Sequence, residues 1–175
     1  KKVSEAEARH VVDTVYNWLA YLGKTAGLEL ELFKFKQYIE SNNIQVGSME
    51  KSVELISDYF GRSIAAQAAT NIIIGVGARR FEADVVLKFG EELAIVETKR
   101  LREFNPETVE HATKQVQSLA FDYLSANPRS KGVYKRIHSV LIVFVDKKIP
   151  EGYDAVRKFG DQLHVVVIKP KNAHR

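Results

Sequence analysis

Three charged residues stand near the middle of the chain in an order that suits metal-assisted chemistry. Asp84 precedes Val85-Val86-Leu87, a turn follows at Gly90-Glu91-Glu92, and Ala94-Ile95-Val96 runs into Glu97-Thr98-Lys99. Side chains alternate along a strand, so Glu97 and Lys99 project from one face, while Thr98 turns its side chain away and offers its backbone carbonyl. A hairpin closing near Gly90 brings Asp84 close to Glu97 across the ladder. Two carboxylates and a carbonyl form a donor set for a hard, oxygen-seeking cation such as Mg²⁺, with Mn²⁺ as a substitute. Phosphodiester hydrolysis uses such a cation to polarise the phosphoryl oxygen and to supply hydroxide at neutral pH. Lys99 is placed to orient or help deprotonate the attacking water and to offset the developing negative charge. The plain alternative is an exposed cross-strand ion pair, worth under about 1 kcal/mol. The apolar runs on either side argue against it, because unpaired charges beside a core are costly.

The elements that must position these residues follow from period and punctuation. Ala8, Val11, Val12, Val15, Trp18, Leu19 and Leu22 recur at helical spacing, Ser4 and Glu7 form a capping-box pattern, and Gly23 is a natural stop. Residues 28–40 alternate like a strand at Leu28, Leu30 and Leu32, yet Leu28, Leu32, Phe35 and Ile39 share one helix face, and helix is the expectation. A linker spans Ser41 to Gly47, Ser48 caps a helix carrying Val53, Ile56 and Phe60, and Gly61 is expected to close it. The period then changes: Ala69–Val76, Phe81–Phe89 and Leu93–Thr98 read as three consecutive strands. Pro106 opens a helix expected to run to about Leu124, His138–Val145 reads as a strand buried on both faces, Tyr153–Phe159 as a short helix, and Leu163–Ile168 as a last strand. The expectation is an α/β or α+β domain built on a central mixed sheet.

Composition bounds the setting. With 175 residues, 45% hydrophobic and 27% charged, the chain has enough apolar surface for one core and is not of the disordered class. No run approaches the roughly eighteen apolar residues of a membrane span. The absence of cysteine excludes disulfides and thiolate metal sites and leans towards the cytoplasm. A net charge of +4 is compatible with a nucleic-acid partner. Arg79, Arg80, Arg100 and Arg102 bracket the hairpin with positive charge suited to phosphates, although a solvated basic edge is nearly as good an account. The five histidines show no metal spacing and no paired nucleophile. A chain that opens on Lys1 without a signal-peptide pattern is expected to be a piece of something longer.

Asp84, twelve intervening residues, then Glu97-Thr98-Lys99 resembles the split Asp…Glu-x-Lys signature of the PD-(D/E)XK nucleases. The similarity is strongest to the N-terminal nuclease domain of type I restriction-enzyme R subunits, the motor subunits. There an Ala-Asp-hydrophobic strand, a Gly-containing turn and a hydrophobic Glu-x-Lys strand occur in this order. Ala83 stands where the motif name has proline. The resemblance covers about residues 48–168. It implies a restriction-endonuclease-like core, a mixed β-sheet flanked by helices, over residues 46–175, with residues 1–45 as a helical extension. It further implies a Mg²⁺-dependent endodeoxyribonuclease of a restriction, repair or mobile-element system, with DNA as partner, acting as a homodimer or within a larger assembly. The superfamily often places a glutamate on the helix before the first strand, where Glu50 and Glu54 are candidates, Glu50 slightly ahead. Many members carry Gln-x-x-x-Tyr on the helix after the lysine. Here Gln117 is followed by Phe121 and Gln115 by Leu119, neither a clean match. Two other outcomes stay open: a structure-selective resolvase of four-way junctions, and an inactive DNA-binding or assembly module of the same fold.

Overall fold

The computed structural model describes residues 4–21, 27–75, 77, 80–160 and 162–171. Three helices come first: α1 (Glu5–Tyr21), α2 (Gly27–Ser41) and α3 (Met49–Ser63). The capping box forms as the sequence requires, with the Ser4 N–H donating to Glu7 Oε2 at 2.8 Å and the Glu7 N–H donating to Ser4 Oγ at 3.1 Å. Gly23 and Leu22 lie outside the described residues. The ambiguous segment at 28–40 is helical because one helix face can bury Leu28, Leu32, Phe35 and Ile39 together. Ser48 caps α3, its Oγ accepting from the Lys51 N–H at 3.1 Å.

Gly61 does not close α3, which continues to Ser63. Termination falls instead to Ala65, whose φ of 53° is left-handed, with the Ala66 N–H donating to Phe60 O at 3.1 Å. A Cβ in that conformation costs about 1–2 kcal/mol relative to glycine. Ala65→Gly is therefore expected to stabilise the protein by about 1 kcal/mol, read as a higher urea midpoint at unchanged m-value. A lower midpoint would contradict a left-handed backbone at this position.

Among the described residues, six strands form one mixed sheet in the order β1-β2-β3-β4-β6-β5. β1 (Gln67–Ile74), β2 (Phe81–Phe89) and β3 (Glu92–Leu101) are antiparallel neighbours. β4 (Arg136–Val145) runs parallel to β3 and β6 (Leu163–Ile168) parallel to β4, while β5 (Arg157–Phe159) pairs antiparallel with β6. β4 and β6 are buried on both faces apart from Arg136, as central parallel strands must be. The protein is thus α+β, a six-stranded mixed sheet flanked by helices.

The sheet separates two cores. One lies under α4 (Pro106–Val116) and α5 (Leu119–Ala126), where Val109, Ala112, Val116 and Leu119 meet Ile95, Leu141, Val143 and Val165. The other lies under α2 and α3, where Leu32, Phe35, Ile56 and Phe60 meet Val96, Ile142 and Phe144. Within it Lys36 is 4% exposed, and its ammonium donates to Val167 O at 2.7 Å and to Glu40 Oε2 at 3.0 Å, fastening α2 to β6. α1 differs: Val11, Val12 and Val15 on its apolar stripe are exposed.

Two further expectations are corrected. The helix after Pro106 does not run through to Leu124. It ends at Val116 and restarts at Leu119, because the Ala120 N–H is met by Ser139 Oγ of β4 at 3.0 Å. Tyr153–Phe159 is not a helix but a turn leading into β5. Its apolar spacing serves two faces of the sheet: Tyr153 packs into the core under α4, with Phe104 at 4.5 Å, while Val156 packs into the core under α2. A helix would present both to one side.

Candidate active site

β2 and β3 hold the sequence triplet at the end of their hairpin. The turn contains Gly90 with φ 55°, and the ladder runs from Phe89↔Glu92 to Val85↔Val96. The next pair in register would be Asp84 and Glu97, and there the backbone pairing stops. Asp84 substitutes its side chain: Oδ2 accepts the Thr98 N–H at 2.8 Å. The carboxylate thus takes the place of a backbone carbonyl, which fixes its orientation against β3. The N–H and C=O of one residue in an extended strand point to the same neighbouring strand, so the Thr98 carbonyl is also turned towards β2. The Thr98 side chain is buried, and its Oγ1 has no hydrogen-bond partner.

Glu97 is half-buried beside Asp84, and its Oε1 is buried without a partner. Burial and the Asp84 carboxylate push its pKa up to about 7, against the opposing pull of the Lys99 ammonium. Two carboxylates held together in this way repel each other, and a bound cation relieves both the repulsion and the orphaned oxygen. The donor set therefore fits a hard divalent cation. Among the described residues, no cluster of three or more His, Asp or Glu side chains is gathered into a cage. The fit rests on this carboxylate pair and the neighbouring carbonyl. Lys99 is exposed at the end of β3.

A cleft of about 450 Å³ opens beside the hairpin, between α3 and β1. Its walls include Glu50, Glu54, Ser57 and Asp58 of α3, Thr70 and Asn71 of β1, and Asp84. The two candidate glutamates therefore share a cleft with Asp84, as the one-turn spacing on α3 allows. They differ in engagement. Glu54 pairs with Lys51 at 3.5 Å, whereas the Glu50 carboxylate has no hydrogen bond or ion pair among the described residues.

The other sequence candidates lie further out. Gln115 and Gln117 are exposed at the far end of α4, the latter as its C-cap. They stand about 15 Å along the helix from the end that follows β3, and neither lines the cleft. Arg100 is half-buried and already engaged, donating to Gly47 O at 3.0 Å and to Asp146 Oδ1 at 3.4 Å. It ties the approach to α3 to the ends of β3 and β4. Arg80 and Arg102 are exposed, and Arg79 lies outside the described residues.

Two features escaped the sequence. Asn71, in the cleft wall, has a left-handed φ of 53° in the middle of β1. The other is a hydrogen-bonded chain on adjacent strands, with Glu92 Oε1 and His138 Nε2 at 2.8 Å and His138 Nδ1 and His164 Nε2 at 3.1 Å. Both rings are buried, and His164 Nδ1 has no partner. Burial, then the His138 and Lys158 charges, push His164 down to about 3. The two histidines lie 26 positions apart, and only the β4/β6 pairing brings them together. Among the described residues, no helix is long and apolar enough to cross a membrane. Compared with protein-family models and with curated proteins, the chain matches none.

Proposed function

We propose that this protein is a divalent-metal-dependent nuclease of the PD-(D/E)XK type that hydrolyses DNA phosphodiester bonds. The observation that carries the reading is the carboxylate pair: Asp84 fixed by the Thr98 N–H, and Glu97 beside it with a buried unpartnered oxygen and a pKa near 7. Such a pair is poorly suited to an ordinary ion bridge and well suited to holding Mg²⁺. The order of strands and helices around it is compatible with a restriction-endonuclease-like core.

A Mg²⁺ ion at this site supplies Lewis acidity and charge neutralisation towards a phosphodiester. Asp84, Glu97 and the Thr98 carbonyl would hold it, and of the two α3 glutamates Glu50 is the one not paired with Lys51. Lys99, two residues beyond Glu97 on the same face, orients the attacking water and offsets charge on the phosphoryl group. Arg80 and Arg102, exposed on either side, contact flanking phosphates, which an acidic cleft alone would repel.

The test is cleavage of plasmid, linear duplex and four-way-junction DNA with Mg²⁺ or Mn²⁺, beside Asp84→Ala and Lys99→Ala. Wild-type protein is expected to cleave only with metal, and each variant to lose at least about 100-fold. Cleavage confined to junctions would redirect the reading to a resolvase. No metal-dependent cleavage of any substrate, with no Mn²⁺ binding that Asp84→Ala abolishes, would leave a DNA-binding module of this fold.

A further inference from the structure

We propose that Asn71 is a positioning residue for the Asp84 carboxylate, acting through its left-handed backbone in the middle of β1. The inference rests on the metal-site reading of Asp84 and Glu97 and extends it to a strand that carries no acidic residue.

Pairing between β1 and β2 keeps one register throughout, including Thr70↔Val85 and Ile72↔Ala83, but Asn71 and Asp84 between them are left out of the ladder. Side chains at i and i+2 of a regular strand share a face. Across Asp84 they do not: Ala83 packs into the core under α4 and α5, whereas Val85 packs into the core under α2 and α3. β1 changes face at the same level. Ile72 packs with Ala83 on one side, and Thr70 borders the α3 cleft on the other. The pleat therefore slips by one residue in both strands together, which is why the register survives.

A slip in β2 alone would shift every pair beyond it, moving buried side chains to the wrong face. β1 must supply a matching slip, and the φ of 53° at Asn71 is where it does so. Asparagine is among the few non-glycine residues that tolerate this region, whereas its neighbours Thr70, Ile72, Ile73 and Ile74 are β-branched and do not. The matched slip takes Asp84 out of both ladders and frees its carboxylate for the Thr98 N–H and the cleft. Backbone strain of this kind persists where the surrounding structure holds it in place, here the pairs on both sides of Asn71.

Asn71→Val forces the strand towards regular pleating, and Asn71→Gly permits the left-handed conformation without the carboxamide. Hydrogen exchange of the Thr98 amide, followed by NMR in chelator, reads the positioning directly. Exchange is expected at least tenfold faster in Asn71→Val than in wild type, with β4 and β6 amides unchanged as a control for folding. Asn71→Gly should restore the protection. Mg²⁺-dependent cleavage should follow the same order, with kcat reduced at least tenfold in Asn71→Val at a KM for DNA within twofold, and recovered in Asn71→Gly. Unchanged Thr98 protection in Asn71→Val overturns the proposal, as does an Asn71→Gly form as impaired as Asn71→Val, which would assign the role to the carboxamide. If Thr98 responds as expected while the wild-type protein cleaves no DNA, the nuclease reading fails and the positioning role stands.

Discussion

Glu97→Gln is expected to abolish metal-dependent DNA cleavage, by 100-fold or more, and at the same time to make the metal-free protein more stable. The two effects have one origin. Glu97 is held beside Asp84 with one oxygen buried and unpartnered, and its pKa stands near 7 instead of 4.5. A folded-state pKa above the unfolded value means that ionisation opposes folding. The penalty is absent below about pH 4.5, where the group is neutral in both states, and complete above about pH 7, where it is ionised in both. Glutamine keeps the shape and removes the charge, so its advantage should appear at pH 8 in chelator and vanish near pH 4. Solvent screening of this half-exposed group limits the gain to the order of 1 kcal/mol. The measurement is a pair of thermal melts beside a cleavage assay. A variant that is inactive but no more stable at pH 8 would show that the carboxylate pair is not under tension.

The second large effect is an acid-sensitive step in stability set by His164. Its folded pKa lies near 3, well below the unfolded value near 6.5, so the unfolded chain binds the extra proton throughout that interval. Stability is therefore fully present above about pH 6.5 and declines as pH falls towards 3, by up to about 1.4 kcal/mol per pH unit from this group alone. His138 stands between Glu92 and His164, at 2.8 Å from Glu92 Oε1 and 3.1 Å from His164 Nε2, so a charge on His164 would face the His138 ring and not the carboxylate. His164 Nδ1 is buried with no hydrogen-bond partner, so nothing stabilises a proton there. Urea unfolding of wild type and His164→Leu at half-unit steps from pH 7 to pH 4 isolates the contribution. The variant will differ in absolute stability, but its slope should be shallower by about one proton. Equal slopes would mean that His164 does not titrate on unfolding.

The β2/β3 hairpin that carries Asp84, Glu97 and Lys99 was legible in the sequence because its signals are local. Val85 to Leu87 and Ala94 to Val96 flank a glycine turn, and alternation alone places Glu97 and Lys99 on one face. The Ser4 and Ser48 caps, and the buried run of β4, were legible for the same reason. What could not be read depends on partners distant along the chain. The helix after Pro106 breaks because a serine on β4 takes the Ala120 N–H. Only Arg157–Phe159 of the segment expected to be a helix pairs with β6, whose edge would otherwise be open. The amphipathic stripe of α1 predicted a helix correctly, yet Val11, Val12 and Val15 remain exposed, since a stripe announces a buried face without naming what covers it. The slip at Asn71 has no sequence signature beyond an asparagine in a strand, and the histidine pair none beyond two apolar-strand histidines.

The Lys36 contact with Val167 joins positions 131 residues apart, and its consequence concerns time. α2 is made early and presents Leu28, Leu32, Phe35 and Ile39, but the surface that buries them includes Val166 and Ile168 of β6, the last of the described strands. A chain growing from its N-terminus can cover part of that face with Ile56 and Phe60 once α3 is made, but the part that Val166 and Ile168 cover stays open while more than a hundred further residues are added. Closing a loop of this length is slow to begin, although only modestly costly once complete. Docking of α2 is thus completed only when β6 is made, and stalled or truncated chains that lack β6 would expose the rest of the stripe to aggregation or to chaperones.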